Sequence, residues 1–115
     1  MSSEIKKYTN RQEQIAVFAN ALANPVRVAV LELLSSQACC YHGDMADELP
    51  IANSTLSQHL KVLKDAGLIQ GEITPPKTKY CINRENYALA AELLTTFFAS
   101  PLETTFSEEG VILCS

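Results

Sequence analysis

The sequence of 115 residues contains no tryptophan, and only 7% of its residues are aromatic. No apolar run reaches the roughly 18 residues that a membrane-spanning helix needs, and the polar residues 1–7 do not resemble a secretory signal. We therefore expect a cytoplasmic protein without a membrane partner, whose thiols stay reduced. With 47% hydrophobic and 19% charged residues, the composition is that of one globular domain.

Positive charge is also scarce. The net charge of −4 argues by itself against nucleic acid, because attraction to phosphates dominates non-specific DNA affinity. The distribution is uneven, however: residues 54–80 carry four lysines against two acids, whereas no lysine or arginine follows Arg84. One region of the surface can therefore face phosphates while the acidic end of the chain faces away.

The usual motifs of catalysis are missing. The sequence has no Gly-rich phosphate loop, no His-Glu-x-x-His and no Cys-x-x-Cys. Cys40 and His42 could form a nucleophilic pair, but nothing marks an oxyanion site near them. We predict that the protein is not an enzyme and has no certain cofactor.

Apolar residues recur mainly with the period of a helix. They predict a first helix over about residues 9–23 and a second helix that Asn24 caps and Pro25 opens. A brief helix over residues 44–49 should stop at Pro50. The next helix should be capped by Asn53 or Ser54 and should end at Gly67.

Two β-like runs follow at residues 68–73 and 80–82, joined by a turn that contains two prolines. A last helix is predicted over residues 87–98. The order predicts a mainly α fold with a small β-hairpin wing, a winged helix-turn-helix. We assign residues 1–100 to one DNA-binding and dimerisation domain and residues 101–115 to a C-terminal tail.

The helix before the hairpin has an outer face of groups that suit a DNA groove, because amides and hydroxyls can bond bases and lysines can bond phosphates. A solvated polar face on an ordinary amphipathic helix is the alternative. With two lysines at the wing, the predicted DNA-binding residues are Ser54, Thr55, Ser57, Gln58, His59, Lys61, Lys64, Lys77 and Lys79.

Two segments resemble the ArsR/SmtB-type repressors. Residues 22–27 are similar to the Leu-x-x-Pro-x-Arg opening of their second helix, and residues 54–69 are similar to their recognition helix and its exit into the wing. The resemblance covers about residues 12–98. It implies a homodimeric repressor that binds a pseudo-palindromic operator and releases it when a metal ion, a metalloid or a thiol oxidant binds. It makes interface candidates of Ile15, Phe18, Leu94, Phe97 and Phe98, whose alternative role is monomer core.

The four cysteines are the candidate sensor, because thiolates are soft ligands that suit arsenite and related ions. We predict a metal site of Cys39, Cys40 and Cys114, with Cys81 as the alternative third ligand and As(III) as the foremost inducer. The Cys-x-Cys of arsenic sensors in the family would fall at Tyr41 and Gly43, so the cysteine pair is displaced here. The family's Asp and His site on the last helix is absent.

The sequence is compatible with three alternatives. The thiols could respond to an oxidant or a persulfide by closing a disulfide, or they could be small apolar filler without a sensing role. The whole domain could also be a protein-interaction winged helix that does not bind DNA. A DNA binder should lose affinity steeply as salt rises, and an interaction module should not.

Overall fold

In the computed structural model, the described part of the chain comprises residues 7–36, 40–42, 45, 49–74, 77–102, 105–106 and 112–113. Four helices and five strands lie within it. They are α1 (Asn10–Ala21), α2 (Pro25–Ser35), β1 (Tyr41–His42), α3 (Asn53–Asp65), β2 (Ile69–Thr74), β3 (Lys77–Ile82), α4 (Arg84–Ala99), β4 (Thr105–Phe106) and β5 (Ile112–Leu113). The order of these four helices and of the hairpin of β2 and β3 agrees with the prediction.

Side-chain caps explain where the first two helices begin. Thr9 and Gln12 form a capping box at the start of α1, in which each side chain accepts a backbone N–H of the other residue. Asn24 Oδ1 accepts the amide of Val26 at 2.8 Å, and Pro25 occupies the first helical position of α2. The predicted break between the two helices is therefore confirmed.

The predicted brief helix over residues 44–49 falls mostly outside the described residues. Its described ends are joined by one hydrogen bond of helical spacing, from the Leu49 amide to the Met45 carbonyl at 3.0 Å. The last helix begins three residues earlier than predicted, because the Asn83 side chain caps it by accepting the Asn86 amide.

The three-stranded antiparallel sheet has the order β1-β3-β2. In its register Tyr80 lies opposite both Tyr41 and Gly71. Gly71 is required by a close approach, since a Cβ there would collide with the Lys79 carbonyl oxygen and stand 2.6 Å from a Tyr80 ring carbon. Tyr41 and Tyr80 are both buried in the hydrophobic core.

One hydrophobic core joins the helices to the sheet. Its largest fully buried side chains are Val30 of α2, Leu63 of α3, and Leu68 and Ile69 at the entry to the hairpin. Within the described chain no single helix is long and apolar enough to cross a membrane, and the one pair that passes by length and composition, α1 with α2, is bent by 93°. Beyond α4, β4 and β5 pair with each other.

Candidate nucleic-acid interface

Helix α3 presents two opposite faces. Its buried stripe consists of Leu56, Leu60 and Leu63, which pack into the core. The other face is polar, and six of the seven residues predicted to touch DNA on this helix are exposed: Ser54, Thr55, Ser57, Gln58, Lys61 and Lys64. One side of α3 is therefore free to contact a ligand, while the other side anchors the helix in the core.

The start of α3 differs from the prediction. Ala52 is the N-cap residue, and no side chain caps the helix, whereas we expected Asn53 or Ser54 to do so. The helical hydrogen bonds begin one residue earlier than expected, since the Leu56 amide already donates to the Ala52 carbonyl at 2.9 Å. Asn53 and Ser54 thus lie in the first turn, where the amides carry the partial positive charge of the helix dipole.

His59 is the seventh predicted DNA-binding residue of α3, and it is half-buried. Its Nδ1 atom lies 3.1 Å from a terminal nitrogen of Arg27, which belongs to α2. The Arg27 side chain also donates to two carbonyl oxygens at the end of α1, those of Asn20 and Ala21, at 3.0 and 2.9 Å. Sequence reasoning missed Arg27, although it had singled out the motif at residues 22–27 that contains it.

The two lysines of α3 differ in their surroundings. Lys61 Nζ lies 2.9 Å from Asp65 Oδ2, in a pair whose side chains are 75% and 65% exposed. Such an exposed pair between residues i and i+4 stabilises a helix only slightly, so the Lys61 charge can still reach a phosphate. Lys64 lies in the last turn, with no ion pair in the described part of the chain.

The hairpin of β2 and β3 forms the wing. Lys79 lies opposite Glu72 in the register, and its side chain is exposed. Lys77 pairs with Thr74 at the tip, and its side chain lies outside the described residues. The structure therefore puts both predicted wing lysines on β3, two residues apart.

Gly67 closes α3 and connects it to α4. Its φ of +85° lies in the left-handed region that glycine adopts readily. Asn86 Nδ2 of α4 donates to the Gly67 carbonyl at 3.0 Å, and the Asn83 amide donates to the Leu68 carbonyl at 2.9 Å. The end of α3 is thus held by the beginning of α4.

Two of the four cysteines form a disulfide, between Cys40 and Cys81, with Cα atoms 4.4 Å apart. Cys40 precedes β1, and Cys81 lies in β3, the strand that pairs with β1. The predicted ligands Cys39 and Cys114 lie outside the described residues. Among the side chains that the structure does describe, no three His, Cys, Asp or Glu groups are placed to hold a metal ion.

The disulfide changes what the predicted metal site requires. A sulfur atom in a disulfide is not a thiolate, so Cys40 and Cys81 can bind a soft ion only after reduction. The sequence predicts Cys40 as a ligand together with Cys39 and Cys114, with Cys81 as the alternative to Cys114. The structure brings Cys40 together with Cys81, the alternative partner, across a separation of 41 residues.

The predicted dimer-interface residues divide between core and surface. Phe18 is only 5% exposed and belongs to the core of the single chain. Ile15 and Leu94 are half-buried, whereas Phe97 and Phe98 are 49% and 77% exposed. The two phenylalanines contact each other edge to face, with ring centroids 5.1 Å apart. An apolar surface therefore remains at the end of α4.

Comparison with known proteins identifies the family to which this chain belongs. A model of a helix-turn-helix domain matches residues 22–72. The chain is 49% identical over 53 residues to the HTH-type transcriptional repressor SmtB of Mycobacterium tuberculosis. The aligned segment covers 45% of this chain and 38% of SmtB. It is 30% identical over 80 residues to the HTH-type transcriptional regulator CmtR of Mycobacterium bovis, covering 70% of this chain and 67% of CmtR. The chain belongs to the ArsR/SmtB family of winged helix-turn-helix regulators.

Solved structures agree with the family. An ArsR-like regulator from Rhodococcus sp. RHA1 superposes with a TM-score of 0.65 at 20% identity, over 79% of this chain and 85% of that one, which supports the fold. The structure of the cadmium sensor CmtR of Mycobacterium tuberculosis gives a TM-score of 0.51 at 28% identity, over 83% and 98% of the two chains. The present chain spans only 38% of the length of SmtB.

Proposed function

We propose that the protein is a homodimeric transcriptional repressor that reads a pseudo-palindromic DNA operator through α3 and places the wing against phosphates. The observation that carries the proposal is the exposed polar face of α3, which lies over a buried leucine stripe and runs directly into a hairpin with an exposed lysine. Membership of the ArsR/SmtB family supports it.

The chemistry of that face suits a DNA groove. Gln58 can bond adenine through both its amide oxygen and its amide nitrogen, whereas serine and threonine hydroxyls can bond either phosphates or bases. The first turn of α3, which has no side-chain cap, directs its amides towards the same ligand. Lys61 and Lys64 add positive charge further along the helix.

Fluorescence anisotropy on labelled DNA from the region upstream of its own gene tests the proposal. Binding should weaken steeply with salt, and Lys64→Gln should reduce the slope of log affinity against log salt by about one. Lys7→Gln is the matched control, because it removes the same charge outside the proposed interface. Absence of binding at low salt, or equal slopes for both variants, would contradict the proposal and favour a protein-interaction module.

The dimer is proposed to form through α1 and α4. Its support is the apolar surface that a single chain leaves uncovered, to which Val17 of α1 and Phe97 and Phe98 of α4 contribute. Phe98→Glu should give a monomer in sedimentation equilibrium, since a charge would have to be buried at the contact. Thr96→Glu is the control: it is exposed on the same helix but lies about 200° around it from Phe98. A dimeric Phe98→Glu variant would exclude this interface.

Release from DNA is proposed to depend on the cysteine thiols. In the first form, As(III) or another thiophilic ion binds Cys39, Cys40 and Cys114, or Cys81 in place of Cys114. The relative CmtR is a cadmium sensor, which supports a soft metal ion as signal. This form requires the reduced protein.

The second form is oxidation, and the Cys40–Cys81 disulfide favours it. Two thiols would lose two protons and two electrons to a peroxide, which is reduced to water, and a sulfur–sulfur bond would form. The bond encloses a loop that contains the whole of α3 and β2. Forming or reducing the disulfide therefore changes how tightly α3 and β2, the elements proposed to contact DNA, are constrained.

Two serine variants separate the forms. Reduced protein bound to operator is titrated with arsenite, Cd(II) or hydrogen peroxide while release is followed by anisotropy. Cys39→Ser should abolish release by arsenite and spare release by peroxide, whereas Cys81→Ser should abolish release by peroxide. Release by none of the three reagents would reduce the cysteines to packing and would leave the DNA-binding proposal intact.

A further inference from the structure

The imidazole of His59 is held from one side by a fixed guanidinium. Arg27 is half-buried, and its Nε and one terminal nitrogen donate to the Ala21 and Asn20 carbonyls at the end of α1. These carbonyls lie in the last turn of a helix that has no basic residue of its own there. The guanidinium is therefore anchored independently of His59, and its remaining terminal nitrogen lies 3.1 Å from His59 Nδ1.

The chemistry of the two groups fixes the proton on the imidazole. A guanidinium carries only donors, so Nδ1 must accept the hydrogen bond and cannot carry a proton. In the neutral ring the proton then resides on Nε2, because one ring nitrogen donates and the other accepts. The Nε2–H bond points away from Arg27. His59 lies on α3 next to Ser57, Gln58 and Lys61, which are exposed.

We propose that Arg27 is a positioning residue for DNA recognition: it holds His59 as the Nε2–H tautomer, and this N–H donates to a phosphate oxygen of the operator backbone. The proposal rests on the proposed DNA binding. It assigns His59 to backbone contact rather than base reading, because a single donor on a half-buried ring at the edge of the exposed face cannot form a bidentate base contact.

The first test needs no DNA. Long-range ¹H–¹⁵N correlation spectra of the free protein report which imidazole nitrogen carries the proton. We expect His59 to give the pattern of a single Nε2–H tautomer, and Arg27→Gln to give a mixture of the two tautomers. Far-UV circular dichroism checks that the variant keeps its helices. A tautomer mixture in the wild type, or a spectrum that Arg27→Gln leaves unchanged, would overturn the positioning role.

The second test uses two isosteres of His59. Asparagine keeps an oxygen near the place of Nδ1, which can still accept from Arg27, but it loses the distal donor. Glutamine instead keeps an N–H near the place of Nε2. We expect His59→Asn to weaken operator binding by about fivefold to tenfold, the loss of one hydrogen bond, and His59→Gln to weaken it less, because glutamine keeps the distal donor although it loses the acceptor for Arg27.

The salt dependence separates a neutral donor from a charged phosphate contact. A neutral donor displaces no counterion, so both His59 variants should keep the wild-type salt slope, whereas Lys64→Gln should lower it. Wild-type affinity for His59→Asn would overturn the phosphate contact, as would a reduced salt slope. If wild-type protein does not bind DNA at all, the phosphate contact falls with the proposed function, and the spectra decide the role of Arg27 separately.

Discussion

Replacing Gly67 by alanine tests how α3 is joined to α4. The residue adopts a φ of +85°, and a Cβ at this position would stand 2.8 Å from Asn86 Nδ2. An alanine therefore meets two obstacles, one in its own backbone and one in a neighbouring side chain. Asn86 can rotate away from the new methyl group, but it then loses its hydrogen bond to the Gly67 carbonyl.

The two costs can be separated in magnitude. The left-handed conformation costs an alanine about 1–2 kcal/mol, and the lost hydrogen bond costs about 1 kcal/mol. We expect Gly67→Ala to lower the free energy of unfolding by about 2–3 kcal/mol. In the background of Asn86→Ala, the same change should cost only the backbone part, because the side chain that would have to move is gone.

Urea unfolding followed by circular dichroism measures all four corners of this double-mutant cycle. The reasoning fails if Gly67→Ala costs under about 0.5 kcal/mol, a value expected of an ordinary surface position. It also fails if the cost is the same with and without Asn86, because the side-chain contact would then carry no energy. A change of the urea m-value would indicate instead that the folded or unfolded state had changed its compactness.

Three further predictions concern the other elements. Gly71→Ala should destabilise the protein in urea by about 1–3 kcal/mol, because the new Cβ pushes the wing strands apart; an unchanged midpoint would contradict the close approach. Asn24→Ala should cost about 1 kcal/mol of thermal or urea stability through the lost cap of α2, and Asn24→Ser should recover most of it. Burial raises the pKa of Tyr80 above 10.0, so the unfolded chain releases this proton first and stability should fall as the pH rises beyond about 10; urea titrations of Tyr80→Phe should lack that part of the fall.

The elements predicted from local signals are the ones that agree with the structure. Asn24 caps α2 and Pro25 occupies its first position, so both residues favour a helix start at this point. Gly67 adopts the left-handed conformation that ends α3. The leucine stripe of α3 is a strong helical period, so the exposed face opposite it follows directly. These features depend on residues within one or two turns of each other, which is why the sequence alone predicts them.

Contacts between distant residues were harder to predict. The contact of Arg27 with His59, 32 positions away, was missed, and Cys81, which meets Cys40 across 41 positions, was only the alternative third ligand. No known spacing in the sequence links the members of either pair. The cap of α3 was wrong for a local reason: Asn53 and Ser54 are both good capping residues, but the helix begins before either can act.

The contacts that hold the recognition helix suggest how a signal reaches it. Its middle is tied to α2 and the end of α1 through Arg27, and its end is tied to α4 through Gly67 and Asn86. The Cys40–Cys81 disulfide lies at the sheet of β1, β2 and β3, and the proposed dimer contact lies on α1 and α4. A ligand can change DNA affinity only by its differential affinity for two arrangements of these elements. The contacts of α3 with α4 lie at its end, whereas Arg27 contacts its middle, so these two places are where a change in the sheet, in α4 or in α1 can act on α3.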